Sequence, residues 1–418
     1  MRRRAPRIRQ PPICLLAALA VLPACERPTA PTALVYADRP VVVPAYSEGW
    51  RDVAVGGAHS CGIRVDGQLY CWGSNGSGQL GVIQARGECS RVRSRCEASP
   101  RAVAPAERFA QVSVGDRHSC AVTIDGEIRC WGENIQYQTA VEAETYVLVP
   151  TPVLPGARMI QVAAGSSHSC AVRAGGVVYC WGEGRLGALG RGDTSSSVIP
   201  RPIQSDQRFT QVSAGRWRSC AVAVDGALWC WGSEWESSQA NTDFFHERLL
   251  PHRIEGAPML RSVSVASSSI CGVAVDDTVL CWESNSFGQL GIGSQVGTAT
   301  PTRVATSEPM WLVSAGIIQS CGLARDGRAF CWGNATFGQL GIPRTGELCG
   351  SLECRRAPSP VFGGQRFVLV ATGVGNHTCG VTTTSALLCW GLGSEGQLGD
   401  GWARDRQSLP VAVLGPTD

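Results

Sequence analysis

The chain has 418 residues, with 37 basic side chains, all of them arginine, against 34 acidic, and charged residues make up only 17% of it. Five of those arginines fall in the first nine positions. The remainder therefore carries 32 against 34, a net of −2, which lacks the basic excess a nucleic-acid binder shows. Fifty glycines and the absence of any long amphipathic pattern argue for turn-rich all-β structure and against helical bundles.

In chain order, "MRRRAPRIRQPP" is a basic start and "ICLLAALAVL" an apolar run of ten, too short to span a bilayer. Residues 1–24 read as a signal peptide. It ends in "LPAC" (22–25), which resembles the lipobox of bacterial lipoproteins. That resemblance implies lipidation of Cys25 and, with Glu26 rather than Asp following, an outer-membrane or cell-surface lipoprotein. The alternative is a plain secretory signal and a secreted soluble protein. Residues 25–39 then form a tether, with a reach of roughly 45 Å if extended.

Seven cysteine pairs follow: Cys61/Cys71, Cys120/Cys130, Cys170/Cys180, Cys220/Cys230, Cys271/Cys281, Cys321/Cys331 and Cys379/Cys389. Each has nine residues between partners and a Trp directly after the second cysteine, and first cysteines recur at steps of 59, 50, 50, 51, 50 and 58. A fixed period of about 50 is the signature of a repeat fold. The two long units carry extra pairs, Cys89/Cys96 and Cys349/Cys354, read as stapled surface loops. Outside the cytoplasm these eighteen cysteines are expected to pair. Structural zinc favours two to four residues between paired cysteines, so no metal and no cofactor is expected.

Hairpin geometry supports the pairing. With Ile124-Asp125-Gly126 as a three-residue loop ending in a left-handed Gly, Cys120 faces Cys130 across a non-hydrogen-bonded position, Cα atoms roughly 4.5 Å apart. A two-residue turn would oppose Cys120 to Trp131 and send the cysteines to opposite faces. Gly67, Gly126, Gly176, Gly226 and Gly327 occupy the third loop position. Asp277 stands there in the fifth unit, a poorer fit, and Ser385 in the seventh, where the register is least determined.

A full unit contains a Pro-led apolar strand, a segment such as "RFAQVSVG" (108–115), the "HSCAVTI" strand, the Asp-Gly hairpin, "IRCWG", and a Gly-rich connection such as "GSNGSGQLG" (73–81). Four short strands per unit make a propeller blade. The fold expected is all-β, a seven-bladed β-propeller of four-stranded blades with one disulfide-stapled hairpin per blade. It fills residues 40–415, with repeats near 45–99, 104–150, 156–200, 206–250, 257–300, 308–359 and 365–415. The Pro-led strand occurs eight times, counting "RPVVVP" (39–44) and "LPVAVLG" (409–415). One terminal strand is expected to complete a blade begun at the other end.

"HSCGIRVDGQLYCWGSNGSGQLG" (59–81) and "CWGNATFGQLG" (331–341) resemble repeats of the regulator of chromosome condensation family, whose members fold as seven-bladed propellers. The departures are "IQYQTA" (135–140), "GALG" (187–190) and "EWESSQA" (234–240), which put loop geometry in question there. The resemblance also implies guanine-nucleotide exchange as a remote alternative, which export and the charge balance argue against.

No nucleophile elbow, zinc motif or phosphate loop is present. His59, His118, His168 and His377 share one repeat position with Arg218, Ser269 and Gln319, which marks it as structural. The expectation is therefore a lipid-anchored extracytoplasmic binding scaffold without catalysis, with a carbohydrate-active or other hydrolytic propeller as the alternative. Its partner would be an envelope protein, with no nucleic acid, membrane contact through the lipid alone, and a monomeric state. Strand alternation puts the turn before "HSC" and the connection after "CWG" on one face, here called the loop face. It carries both stapled inserts and Arg216, Trp217, Arg218, Trp235, Tyr137, Phe244, Phe245 and Trp402 as candidate partner contacts, unless those aromatics pack beneath their own loops.

Overall fold

The computed structural model describes residues 49–85, 87–89, 94–237, 243–344 and 346–415; the side chains at 87, 88, 94, 235–237 and 243–246 are not included. The signal segment, Cys25, the tether and residues 39–44 lie outside this description.

Within it the chain forms seven antiparallel blades. In blade 1 the order from the axis outward is β1 (Trp50–Val55), β2 (His59–Arg64), β3 (Leu69–Ser74) and β5 (Ser94–Val103), with the short β4 (Gly87–Cys89) outermost. Blade 2 has β6 (Phe109–Val114), β7 (His118–Thr123), β8 (Ile128–Glu133) and β9 (Tyr146–Val153). Five more blades span residues 159–202, 209–253, 260–303, 310–360 and 367–412. The Pro-led segment is thus the outer strand of the blade it ends, where a residue without an N–H is tolerated on a sheet edge.

The hairpin register follows from the loop. Gly126, at φ 83°, closes a turn with its N–H on the Thr123 carbonyl at 3.0 Å, and Cys120 pairs with Cys130. All seven hairpins share this register, including the two without glycine, where Asp277 (φ 66°) and Ser385 (φ 61°) take the left-handed position. Every expected hairpin disulfide forms: Cys61–Cys71, Cys120–Cys130, Cys170–Cys180, Cys220–Cys230, Cys271–Cys281, Cys321–Cys331 and Cys379–Cys389. Their Cα–Cα distances are 4.0 to 4.1 Å, the short separation of a non-hydrogen-bonded pair. Cys89–Cys96 and Cys349–Cys354 are bonded as well, each stapling a small extra hairpin on the outer strand.

The ring closes differently from expectation. Blade 7 takes its four described strands from residues 367–412, so no described strand is lent across the chain termini. Closure comes from a bond repeated at every seam. The third loop residue of each hairpin offers its carbonyl to the first inner-strand N–H of the next blade, as in Phe109 N to Gly67 O at 2.9 Å. The last of the seven, Trp50 N to Ser385 O at 2.8 Å, joins blade 7 to blade 1.

A second recurrent contact explains the "GQLG" and "CWG" motifs together. The Gln79 carbonyl of blade 1 receives both Trp131 Nε1 and Ser119 Oγ of blade 2, each at 2.9 Å. Its side-chain oxygen meanwhile accepts the Ser77 N–H and shapes its own loop. Gly81 lies against the Trp131 ring, where a Cβ would come within 2.9 Å of Nε1. The same carbonyl latch is supplied by Gln138, Ala188, Gln289, Gln339 and Gln397 at five other seams. The seven Trp side chains are fully or nearly fully buried, in apolar clusters that span neighbouring blades.

Histidine completes the latch. His59 Nε2 lies 2.9 Å from Ser119 Oγ, and since that hydroxyl donates to Gln79, the imidazole must donate from Nε2. His118, His168 and His377 do the same toward Ser169, Ser219 and Ser60. Desolvation by burial lowers these imidazoles to about 3, 3, 4 and 3 for His59, His118, His168 and His377. Because the folded value lies below the unfolded one near 6.5, the unfolded chain binds more protons between the two. Stability is therefore present above about pH 6.5 and lost as pH falls toward 4. Replacing the four histidines by the glutamine that blade 6 uses at Gln319 is expected to flatten the pH dependence of the urea midpoint over that window. An unchanged slope would refute the assignment.

Candidate functional site

The loop face is built from the turns between first and second strands, which ring the central channel, and from the connections between third and fourth strands further out. The inner turns nest tightly: a Cβ at Gly56 would sit 2.6 Å from the Gly115 carbonyl oxygen of the next blade. Inner-strand edges are closed by side chains reaching across seams. Gln111 accepts the Val162 N–H at 2.8 Å and donates to the Val162 carbonyl at 2.9 Å, and Gln161 and Gln211 repeat this one blade on. The inner strands carry one acid, Asp52, whose carboxyl is raised to about 6, chiefly by burial and against the pull of Arg51. A hydrolytic pair would need a second carboxylate beside it, and these strands supply none. Among the described residues no group of three His, Cys, Asp or Glu is placed to hold a metal ion.

The hairpin cysteines belong to the frame and not to a site. Cys71, Cys180, Cys281, Cys331 and Cys389, each the second partner of its pair, are fully buried in the apolar clusters between blades, and so are their partners Cys61, Cys170, Cys271, Cys321 and Cys379. Their sulfurs are spent on one another and shielded from solvent, so they offer neither thiolate nor ligand to the loop face.

The three residues Arg216, Trp217 and Arg218 separate in space. Arg216 is exposed and lies over the half-buried Trp217 ring, its Cζ 4.1 Å from the centroid. Arg185, exposed on the connection of blade 3, flanks the same ring with Cζ at 5.2 Å. Two guanidiniums thus approach one indole in the turn before the second strand of blade 4. Nearby Glu183 has its carboxyl raised, mainly by partial burial, although both arginines act to lower it.

Arg218 is not a surface contact, and this corrects the sequence reading. It is 5% exposed and takes the place of the latch histidine in blade 4. It donates from Nε to the Ser233 carbonyl and from Nη1 to Glu283 Oε1 of blade 5. Glu283 stands directly after Trp282, where the other blades have glycine, and keeps a glycine-like φ of 86°. Ser269 stands where the next blade would have a latch histidine. Opposite charges thus replace the His–hydroxyl contact at this one seam. The signal was present in the sequence as "CWE" against six "CWG", but only the fold places it beside Arg218.

Tyr137 is 41% and Trp402 67% exposed on the loop face. Trp235, Phe244 and Phe245 fall on a long two-stranded extension of blade 4, in register Trp235↔Phe245 and Glu236↔Phe244, and their side chains lie outside the described set. The "IQYQTA" and "GALG" departures keep the latch geometry: Gln138 and Ala188 accept their Trp at 3.0 and 2.9 Å. Sequence reasoning missed Arg185, Ile135, Glu142 and Glu144. Ile135 (53% exposed) lies with Tyr137, Glu142 and Glu144 on an open groove of about 470 Å³.

Comparison with known proteins adds the following. The family model for the regulator of chromosome condensation (RCC1) repeat matches residues 66–122, 125–172, 175–222 and 326–381, and a second model of the same repeat matches 50–79, 109–138, 159–188 and 367–397. Mouse Regulator of chromosome condensation is 32% identical over 94 residues, 22% of this chain and 20% of that protein. The human Probable E3 ubiquitin-protein ligase HERC3 is 34% identical over 95 residues, 22% of this chain and 8% of the other. The chain thus spans a fifth or less of the length of these relatives. Among solved structures, Prp20p of Saccharomyces cerevisiae, described with its binding to Gsp1p and histones, superposes with a TM-score of 0.72 at 19% identity, covering 84% of this chain and 87% of that one. Human WBSCR16 gives 0.71 at 22% identity, over 84% and 96%. These likenesses show the fold.

For the odd seam, Arg218→Ala is expected to destabilise by about 3–5 kcal/mol, because it takes the guanidinium away from a buried carboxylate. The double change Arg218→His with Glu283→Gly is expected to cost less than the sum of the two single changes, read from urea midpoints. Additivity would show that the pair is not the seam's link.

Proposed function

The chain belongs to the regulator of chromosome condensation (RCC1) repeat family, and on that footing we propose that it is a protein-binding scaffold anchored outside the cytoplasm by a lipid on Cys25, without catalysis of its own. Its partner is an envelope protein that docks on the loop face. The observation that carries this reading is Trp217, whose ring is approached by the guanidiniums of both Arg185 and Arg216 on the loop face. Trp and Arg are the residues that most often dominate binding energy at interfaces, and a ring already stacked loses little freedom on docking.

Exposed apolar side chains occur on both faces, with Ile124, Val224, Val275 and Met259 at or beside the hairpin tips. Ile83, Ile135, Tyr137, Val296, Leu348 and Trp402 are all more than 40% exposed on the connections of the loop face. The opposite face presents mainly the hairpin tips, whose Asp66, Asp225, Asp276 and Asp326 carboxylates accept the N–H two residues on and so cap their own turns. A frame crosslinked in every blade gives the loop face a fixed backbone on which to display variable groups. Export supports the anchor: eighteen cysteines in nine bonds need an oxidising compartment.

Two measurements test this. Mature protein used as bait in envelope extract is expected to retain a partner that the Arg216→Ala, Trp217→Ala variant loses; equal retention would place the contact elsewhere. Cys25→Ser is expected to move the protein from the membrane pellet to the soluble fraction, and continued pelleting would remove the lipid anchor from the proposal.

A further inference from the structure

The blade 2 connection departs from the repeat in a way its own architecture does not require. Five blades place glycine at the first position of the "GQLG" turn in left-handed backbone: Gly78, Gly187, Gly288, Gly338 and Gly396, at φ 75° to 82°. Blade 2 has Tyr137 there, at φ 64°. A side chain in that region is disfavoured relative to the right-handed form. Every latch bond is nonetheless kept. Gln138 accepts Trp181 Nε1 and Ser169 Oγ through its carbonyl and the Gln136 N–H through its side chain, at 3.0, 2.9 and 2.9 Å. The latch thus needs no tyrosine at this position, which is strained and leaves the side chain 41% exposed. Strain that persists without a structural return is a mark of function.

The surroundings indicate what the ring meets. Tyr137, Ile135 and Ala143 of this connection and Val198 of blade 3 line an open groove of about 470 Å³, together with Glu142 and Glu144. Ala143 is also left-handed, at φ 64°. From residue 130 to 157 the chain has three acids and no base. Glu133 pairs with Arg117 at 3.8 Å, whereas Glu142 and Glu144 are exposed and have no ion pair among the described residues. An aromatic face, an aliphatic wall and two uncompensated carboxylates complement a guanidinium flanked by apolar groups: the ring stacks on the cation and the carboxylates accept its N–H donors.

We propose that this groove is a recognition site for a protein segment presenting an arginine beside apolar residues, lodged between Tyr137 and the Glu142/Glu144 carboxylates. The proposal rests on the scaffold reading above and names a contact separate from Trp217.

The test uses the full mature chain and a fluorescein-labelled peptide of alternating leucine and arginine, followed by anisotropy, with a leucine–glutamate peptide as control. The arginine peptide is expected to bind and the glutamate peptide not to. Glu142→Gln with Glu144→Gln is expected to weaken binding at least tenfold. Tyr137→Gly is expected to weaken it to a similar extent while the melting temperature holds or rises, since glycine relieves the left-handed strain. Arg216→Ala with Trp217→Ala is expected to leave the peptide affinity unchanged. Equal affinity for both peptides, unchanged binding in the Tyr137 variant, or a falling melting temperature in that variant overturns the proposal. Loss of peptide binding while envelope capture persists would sink this site and leave the scaffold reading standing.

Discussion

One carbonyl at each of six described seams organises this molecule. A loop residue on one blade turns its backbone oxygen toward the next blade, which answers with an indole N–H and a hydroxyl, as Gln79 is met by Trp131 and Ser119. The oxygen has two lone pairs and both are used, so a buried acceptor and two buried donors are satisfied at once. Removing any member would leave the others unpaired in an apolar cluster, and that is the asymmetry that makes such contacts hard to vary. The surrounding motif exists to deliver it. The glutamine side chain shapes the turn, leucine fills the core beneath, and the final glycine lets the loop lie on the neighbouring indole.

Disulfides and latches work at different ranges. Each hairpin bond joins residues ten apart and constrains a piece of chain that would pair locally in any case. The latches and the hairpin-to-inner-strand bonds join residues from about thirty to more than three hundred apart, and with the glutamine side chains that bridge inner strands they convert seven hairpins into a ring. The staples keep each blade's middle strands in register, so that the latch groups arrive at their seams correctly placed. The blade 4–blade 5 seam shows that geometry outranks chemistry here. Arg218 and Glu283 hold it by charge instead of an imidazole, and glutamate takes a backbone conformation that glycine fills elsewhere.

A closed frame of this kind separates structure from recognition. Strand positions are committed to seams on both faces of every blade, and the hairpin tips to capping their own turns. The connections on the loop face have only one obligation, the latch carbonyl, and otherwise vary in length, charge and aromatic content. The exposed tyrosine and both extra staples are found there, and Arg185 reaches from one of these connections to the Trp217 ring on an inner turn. A seven-blade ring with one shared frame thereby offers seven differently equipped connections around a single mouth.

The repeat, the strand count per blade, the cysteine partners and the three-residue hairpin loop were legible in the sequence because they are local. Nine residues between cysteines and a glycine at a fixed offset constrain a hairpin without reference to anything beyond it. The period of about 50 then gave the blade number. Seam chemistry was not legible, since its partners lie in different repeats and only ring closure sets them side by side. Arg218 therefore looked like a surface anchor next to Trp217, although it opens the second strand of its blade and is buried at the seam, whereas Arg216 lies in the exposed turn. The eighth Pro-led segment suggested a borrowed strand, yet the described strands of blade 7 all come from its own residues and the ring is joined by Trp50 and Ser385. Arg185 stacks on Trp217 across a blade boundary, and Val198 walls the Tyr137 groove across another. Spacing along a chain determines what one hairpin must be, whereas which side chains meet between blades depends on how seven of them close around an axis.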